Sequence, residues 1–260
     1  MNPKQRIKHL VGSWGTAMTN RVLAARWFPL LRTFHLRRNW LYDVCRFAGT
    51  RDLQVVFDVG ANVGDVTAEM ARFFPAAEVH AFELIIPTFN QLTRATGQLR
   101  NVKPHALALG KATEEVVISL QECSLFNSLQ FACRSPAPTG DFRSQQISVI
   151  TADEFCQRQG LPFVDVLKTD AQGFDVEVLA GAEQLIAANG VAFVYSEVGF
   201  QKDDSINTPF SRLHGHLSDR GFELSGFYEQ WGRDASLGFC NALYAHPRAM
   251  RKRFSTHGSP

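Results

Sequence analysis

The chain is 260 residues long, 45% hydrophobic and 20% charged, with no low-complexity tract, which excludes a disordered or fibrous protein and fits one sizeable globular domain with a short extension. Its net charge of +2 hides an asymmetry, because residues 1–50 hold nine Lys/Arg against the single acid Asp43. Five cysteines, Cys45, Cys123, Cys133, Cys156 and Cys240, are odd in number and form no C-x-x-C pair, which argues against a disulfide framework or a zinc site and for a reducing, cytoplasmic setting.

Residues 1–50 read as a basic helical extension in which Lys4, Arg6, Lys8, Arg21, Arg26, Arg32, Arg37, Arg38 and Arg46 alternate with Trp14, Trp27, Phe28, Phe34 and Trp40. Its most apolar stretch, VLAARWFPLL, is short and broken by Arg26 and Pro29, so neither a signal peptide nor a membrane span is expected. The plain expectation is that the aromatics pack on the domain while the arginines stay solvated. The same pattern across residues 4–46 permits a peripheral contact with a membrane or an anionic lipid. Nucleic acid is not expected as a partner, since the rest of the chain is mildly acidic and carries no aromatic RNA-binding motif.

Residues 51–246 form the main domain. Four short runs rich in Val and Phe, LQVVFD, AEVHAFE, FVDVLKTD and VAFVYSE, end at Asp58, Glu83, Asp170 and Glu197. They lack clean alternation, as strands covered on both faces of a parallel sheet do. Helical patterns separate them. One follows Gly64 with Val66, Thr67, Met70, Ala71 and Phe74 on one face, and one starts at Pro87 with Phe89, Leu92 and Leu99. A third runs from Phe174 through Val178, Ala182, Leu185 and Ile186 to a left-handed cap at Asn189-Gly190. Strand alternating with helix predicts a doubly wound α/β fold, whose ligands bind beyond the carboxyl ends of the strands. Residues 247–260 read as a basic, frayed tail.

The turn after the first strand, Gly60-Ala61-Asn62-Val63-Gly64, puts an asparagine where a dinucleotide fingerprint needs its second glycine. A pyrophosphate is disfavoured there, and a smaller carboxylate at the helix start is favoured. S-adenosylmethionine fits that description. Its carboxylate would sit at the helix start, its ammonium near Asp58 and its ribose diol against Glu83, nineteen residues after Gly64.

FDVGANVGDVT, HAFE, DVLKTDAQGFDVEVLAGA and VYSEV, in this order and spacing, resemble the FkbM family of S-adenosylmethionine-dependent methyltransferases from about residue 53 to about 230. The resemblance implies a class I, Rossmann-like fold with a mostly parallel seven-stranded sheet, and O-methylation of sugar or polyketide-type hydroxyls. It makes Asp58, Gly60, Asn62, Gly64 and Glu83 cofactor residues, to which Ala61, Thr67 and Leu84 are added as neighbours, and it sets Asp170 beside the reacting methyl. Two positions depart from the family pattern. Glu83 is followed by Leu84 rather than proline, and Gln172 replaces a glutamate before Gly173.

Methyl transfer to a hydroxyl needs an aligned acceptor and a base for its proton. Asp170 and Glu197 are the candidate bases, with a divalent cation held between them as the alternative, and His214 is a third candidate. Lys168, odd in an apolar strand, is expected to pair with a nearby acid. An insert over about residues 120–146 supplies Asn127 and Ser128, which with Gln172 form the candidate acceptor contacts. The acceptor is then a small molecule or glycan precursor. Two other readings compete: a nicotinamide-dependent oxidoreductase, disfavoured by Asn62, and a non-catalytic glycan- or membrane-binding adaptor, disfavoured by the retention of Asp58 and Glu83.

Overall fold

The structure, a computed structural model, describes residues 39–119 and 144–254 apart from 203, 205 and 234. Asn127 and Ser128 lie outside the described residues, as does most of the basic extension. Within them the chain runs α1 (Trp40–Ala48), β1 (Val55–Val59), α2 (Asp65–Phe73), β2 (Glu78–Phe82), α3 (Ile86–Thr96) and β3 (Val102–His105). Then come β4 (Ala108–Leu109), β5 (Glu114–Ser119), β6 (Ser144–Ile150), α4 (Ala152–Gln159) and β7 (Val164–Thr169). It closes with α5 (Asp175–Ala180), α6 (Glu183–Ala187), β8 (Val191–Gly199), β9 (Thr208–Pro209), α7 (Phe210–Ser218), β10 (Glu223–Arg233), β11 (Ser236–Ala245) and α8 (Pro247–Phe254).

The main sheet has the order β3-β2-β1-β7-β8-β11-β10, with β9 added beside β8. The strands from β3 to β8 are parallel, β11 runs against them, and β10, antiparallel to β11, returns to their direction. The chain steps outward from β1 in one direction through β2 and β3, then returns to build β7 and β8 on the other side. The crevice between β1 and β7 is therefore the point where strand order reverses, which is where such sheets bind ligands.

The continuous apolar runs of β1, β7 and β8 are explained by burial on both faces. On one face Phe57, Val59, Leu167 and Val194 pack with Phe155 of α4, Val178 and Leu179 of α5, Leu185 and Ile186 of α6, and Leu213 and Leu217 of α7. On the other, Val56, Val166 and Phe193 meet Leu41 and Val44 of α1, Met70 of α2, and Ala249 and Phe254 of α8. Each large side chain buried this way contributes about 1.5–3 kcal/mol.

Several boundaries differ from those expected. The single helix expected from Phe174 to Asn189 is two helices, because Gly181 packs so tightly that a Cβ there would lie 2.0 Å from the Gly110 carbonyl oxygen. Asp153 of α4 restarts the chain as α6 by accepting from the Gln184 and Leu185 amides, each at 2.9 Å. Asn189 is left-handed, as expected, with φ 54°. The basic tail is ordered as α8 through Phe254: Phe254 stacks on Phe193, and Arg253 reaches the buried Asp165 at 2.8 Å. Trp40 stacks on Tyr195 with ring centroids 4.1 Å apart, so this aromatic of the extension packs on the domain. A second sheet, β4-β6-β5, was not evident in the sequence, and it brackets the segment after β2.

Candidate active site

The glycine turn after β1 takes left-handed backbone at three alternate positions, Gly60 (φ 75°), Asn62 (φ 50°) and Gly64 (φ 93°). Asparagine tolerates that region better than other side chains, so the departure from the dinucleotide pattern preserves the turn's shape. Gly60 is required by contact as well as by φ, since a Cβ there would lie 2.1 Å from the Asp170 carbonyl oxygen at the end of β7. At Gly64 a Cβ would meet Leu92 of α3 at 2.8 Å. The Gly60 and Ala61 amides both donate to the Phe82 carbonyl, at 3.1 and 3.0 Å, tying the turn to the end of β2. Asn39 and Thr151 cap α1 and α4 with their side chains, whereas no side chain caps α2 at Gly64. The N-terminus of α2, where a helix favours an anion, thus opens on the glycine turn.

Asp58 and Thr67 lie beneath this turn, and both are 0% exposed. The Thr67 hydroxyl donates to Asp58 Oδ2 at 2.6 Å, and Lys168 Nζ sits 2.8 Å from Asp58 Oδ1. Lys168 thus pairs with an acid as expected. Burial opposes its charge, but the carboxylates of Asp58, Asp170 and Asp175 outweigh that and hold its pKa above the usual value. With no exposed surface, Asp58 serves to join β1, β7 and the first turn of α2 rather than to meet a ligand's ammonium directly.

Glu83 follows β2 and is 8% exposed. Its Oε2 accepts from the Asn62 amide at 2.9 Å and its Oε1 from the Ile85 amide at 2.8 Å, so one carboxylate links the glycine turn to the next loop. The Leu84 amide bonds this carboxylate as well, which leaves it acceptor capacity for a ligand hydroxyl. Burial pushes the Glu83 pKa up, against the Ile85, Asn62 and Leu84 amides, and the Asp58 charge adds to the rise. Leu84, next to it, is half-buried against the second sheet, and its carbonyl accepts from Gln145 Nε2 at 2.7 Å.

Asp170 follows β7 directly, and its amide donates to the Val59 carbonyl at 2.9 Å, which sets it against the glycine turn. Gln172, left-handed at φ 50°, donates from Nε2 to Asp170 Oδ1 at 3.0 Å. Sequence reasoning passed over Asp175. It is buried, accepts from the Ala171 amide at 2.9 Å and the Thr208 hydroxyl at 2.7 Å, and so fixes the turn that carries Asp170 and Gln172. Burial raises its pKa against these donors.

Glu197 is not at a strand end. Pairing with β11, from Ala245↔Phe193 to Phe239↔Gly199, carries β8 two residues past it, and Glu197 stands opposite Asn241. Asp170 and Glu197 belong to adjacent strands, but among the described residues no group of three His, Cys, Asp or Glu could hold a metal ion. His214 stacks on Phe210 at 5.2 Å and lies 6.0 Å from the Tyr244 ring. Tyr244 pairs with Val194, three residues before Glu197, so the structure places His214 along the flank of the sheet.

A second buried polar group lies under Glu83. His80 Nδ1 and His105 Nε2 are 3.0 Å apart, His80 Nε2 is 2.7 Å from Glu78, and the Glu83 amide donates to the His105 carbonyl at 3.1 Å. Burial, then the His80 and Lys103 charges, push His105 down from 6.5 to about 4, and burial lowers His80 as well. The unfolded imidazole takes its proton near 6.5 while the folded one resists until about 4, so the unfolded state binds more protons in that window. Stability is expected to be full above pH 6.5 and to fall as pH drops towards about 4. Urea unfolding across this range checks it, with a shallower dependence expected for His105→Phe.

The order of the sheet, the glycine turn at its reversal point and the acids after β2 and β7 define the Rossmann-like fold of class I methyltransferases. The Methyltransferase FkbM domain matches residues 58–224, and the chain belongs to that family. No curated protein matches it. Solved structures that resemble it include the METTL16 MTase domain, at 10% identity and TM-score 0.46, covering 80% of this chain and 66% of that one. Fibrillarin from Aeropyrum pernix, in complex with natively bound S-adenosyl-L-methionine, has 13% identity and TM-score 0.43, covering 74% and 66%. Precorrin-6y C5,15-methyltransferase from Geobacter metallireducens has 12% identity and TM-score 0.44, covering 79% and 86%. The chain thus spans just under two thirds of the length of the first two, and at these identities the likeness says nothing of substrate.

Proposed function

We propose that the protein is an S-adenosylmethionine-dependent O-methyltransferase acting on a hydroxyl of a sugar, a glycan precursor or a glycosylated or polyketide-type metabolite. The observation that carries this reading is the closure of the glycine turn between two acids. Glu83 holds the Asn62 amide on one side, and Asp170 is bonded to Val59 on the other. The donor set fits the cofactor: the N-terminus of α2 for its carboxylate, and the Glu83 carboxylate for its ribose hydroxyls. The bound cofactor supplies the methyl group as an electrophile for in-line displacement.

What remains for the chain is to orient the acceptor and receive its proton. Gln172 engages Asp170 Oδ1, leaving Oδ2 as the atom that takes the acceptor's proton. Asp175 keeps that turn in place from below. An amino-methylating nucleic-acid enzyme would carry an Asp/Asn-Pro-Pro-Tyr/Phe motif after β7, and this chain has Asp170-Ala171-Gln172-Gly173, which favours oxygen as the acceptor atom. The unpaired cysteines support a cytoplasmic setting, and the basic pattern of residues 4–46 permits a peripheral lipid contact. Among the described residues no helix is long and apolar enough to cross a membrane.

The test is transfer of radiolabelled methyl from the cofactor into glycan, lipid and small-molecule extracts of the host. Label is expected in a carbohydrate-containing fraction, to be lost with Asp170→Asn by about 10²–10⁴-fold in rate, and to persist in chelator. Label that enters only protein or nucleic acid would contradict the acceptor class.

A further inference from the structure

The segment after β2 is held more firmly than a connecting loop needs to be. Ile85 is buried in the apolar cluster of the second sheet, with Ala108, Val116, Ile118, Ile147 and Val149, while Glu83 Oε1 takes its amide. On either side of Ile85 the backbone is gripped by one side chain, Gln145 of β6. Its Nε2 donates to the Leu84 carbonyl at 2.7 Å and its Oε1 accepts from the Ile86 amide at 3.1 Å. An amide is the side-chain group that offers a donor and an acceptor at this separation. Gln145 stands opposite Ile118 in the β5–β6 pair, so the second sheet fixes where its amide points.

We propose that Gln145 is a positioning residue for the adenosine half of the cofactor, holding residues 84–86 in the shape that receives it. The inference rests on the cofactor reading above. If Glu83 binds the ribose diol, the nucleobase lies beside the residues that follow it, between half-buried Leu84 and exposed Ile86. A loop already fixed in that shape loses little freedom on binding, and affinity gains accordingly. Gln145 does not touch the cofactor. It acts through the backbone of Leu84 and Ile86, and the second sheet serves as the bracket from which it does so.

Calorimetry with two probes tests this: S-adenosylhomocysteine, and 5′-methylthioadenosine, which keeps the adenosine but has no carboxylate or ammonium. Gln145→Leu removes both hydrogen bonds and is expected to weaken the two probes equally, by about 10-fold. Gln145→Glu keeps an acceptor for the Ile86 amide but no donor for Leu84, and is expected to fall between the leucine variant and the wild type. Affinities within about twofold of the wild type for both probes would overturn the proposal. A loss seen with S-adenosylhomocysteine alone would overturn it too, because the adenosine half would then be unaffected. Should Gln145→Leu fail to fold, hydrogen exchange at the Ile86 amide of the wild type decides: protection supports the clamp, and exchange at the unstructured rate overturns it. Wild type that binds neither probe overturns the cofactor reading itself, a result separable from every outcome specific to Gln145.

Discussion

Lys168→Ala is expected to lower the unfolding free energy by about 3–5 kcal/mol, because it leaves the Asp58 carboxylate charged, fully buried and without its cation. The pair sits between β1 and β7, with 7% and 0% of the two side chains exposed, so the carboxylate has no bulk solvent to replace its partner. The Thr67 hydroxyl remains on Oδ2 but brings no charge. In a domain of this size the loss corresponds to roughly 10 °C in Tm. Removing both charges together, as Asp58→Asn with Lys168→Met, is expected to cost less than the single change, since nothing ionised is then left buried. Urea unfolding of the three proteins measures both effects. A single variant within about 1 kcal/mol of the wild type would show that the pair is not the joint described here.

Gly60→Ala has the other large effect. The new Cβ would lie 2.1 Å from the Asp170 carbonyl oxygen, a backbone atom that no rotamer change can move aside, and φ of 75° adds strain for any side chain. The ends of β1 and β7 must separate, and with them the bonds from Gly60 and Ala61 to Phe82. The expected cost is about 4 kcal/mol or more, with binding of S-adenosylmethionine weakened over about 100-fold. Gly49→Ala is the control. It has a similar φ of 71° but no atom within 4 Å, so it isolates backbone strain, about 1 kcal/mol. Equal losses in the two variants would mean that the contact with Asp170 has no cost of its own.

The sequence showed most of the central sheet because β1, β2, β7 and β8 are covered on both faces, and double coverage writes itself as an unbroken apolar run. Asp58, Glu83 and Asp170 were visible because they interrupt or end those runs. Glu197 was misplaced for the same reason: β11 pairs with β8 beyond it, and a partner some forty residues later leaves no local trace. The break at Gly181 depends on a contact with Gly110, seventy-one positions away in sequence, which helical periodicity cannot register.

In the site, residue types were easier to read than their facing. Asp58 and Thr67 looked like ligand contacts and prove to lie underneath, because a strand-end acid is seen in sequence without its depth. Asp175 and Gln145 went unnoticed, each an ordinary polar residue: Gln145 grips the backbone of Leu84 and Ile86, and Asp175 holds the Ala171 amide and the Thr208 hydroxyl. Only the odd placement of Lys168 in an apolar strand hinted at the network below the turn. The basic tail, expected to fray as a terminus, is helical as far as Phe254, where Arg253 and Phe254 pin it through Asp165 and Phe193.

Titration of S-adenosylmethionine into the purified protein by calorimetry tests the central claim most directly. One molecule is expected to bind per chain, and Glu83→Ala, which removes the carboxylate meant for the ribose diol, is expected to weaken binding by about 100-fold. No heat of binding to the wild type, or equal affinity in the Glu83→Ala protein, would contradict the account.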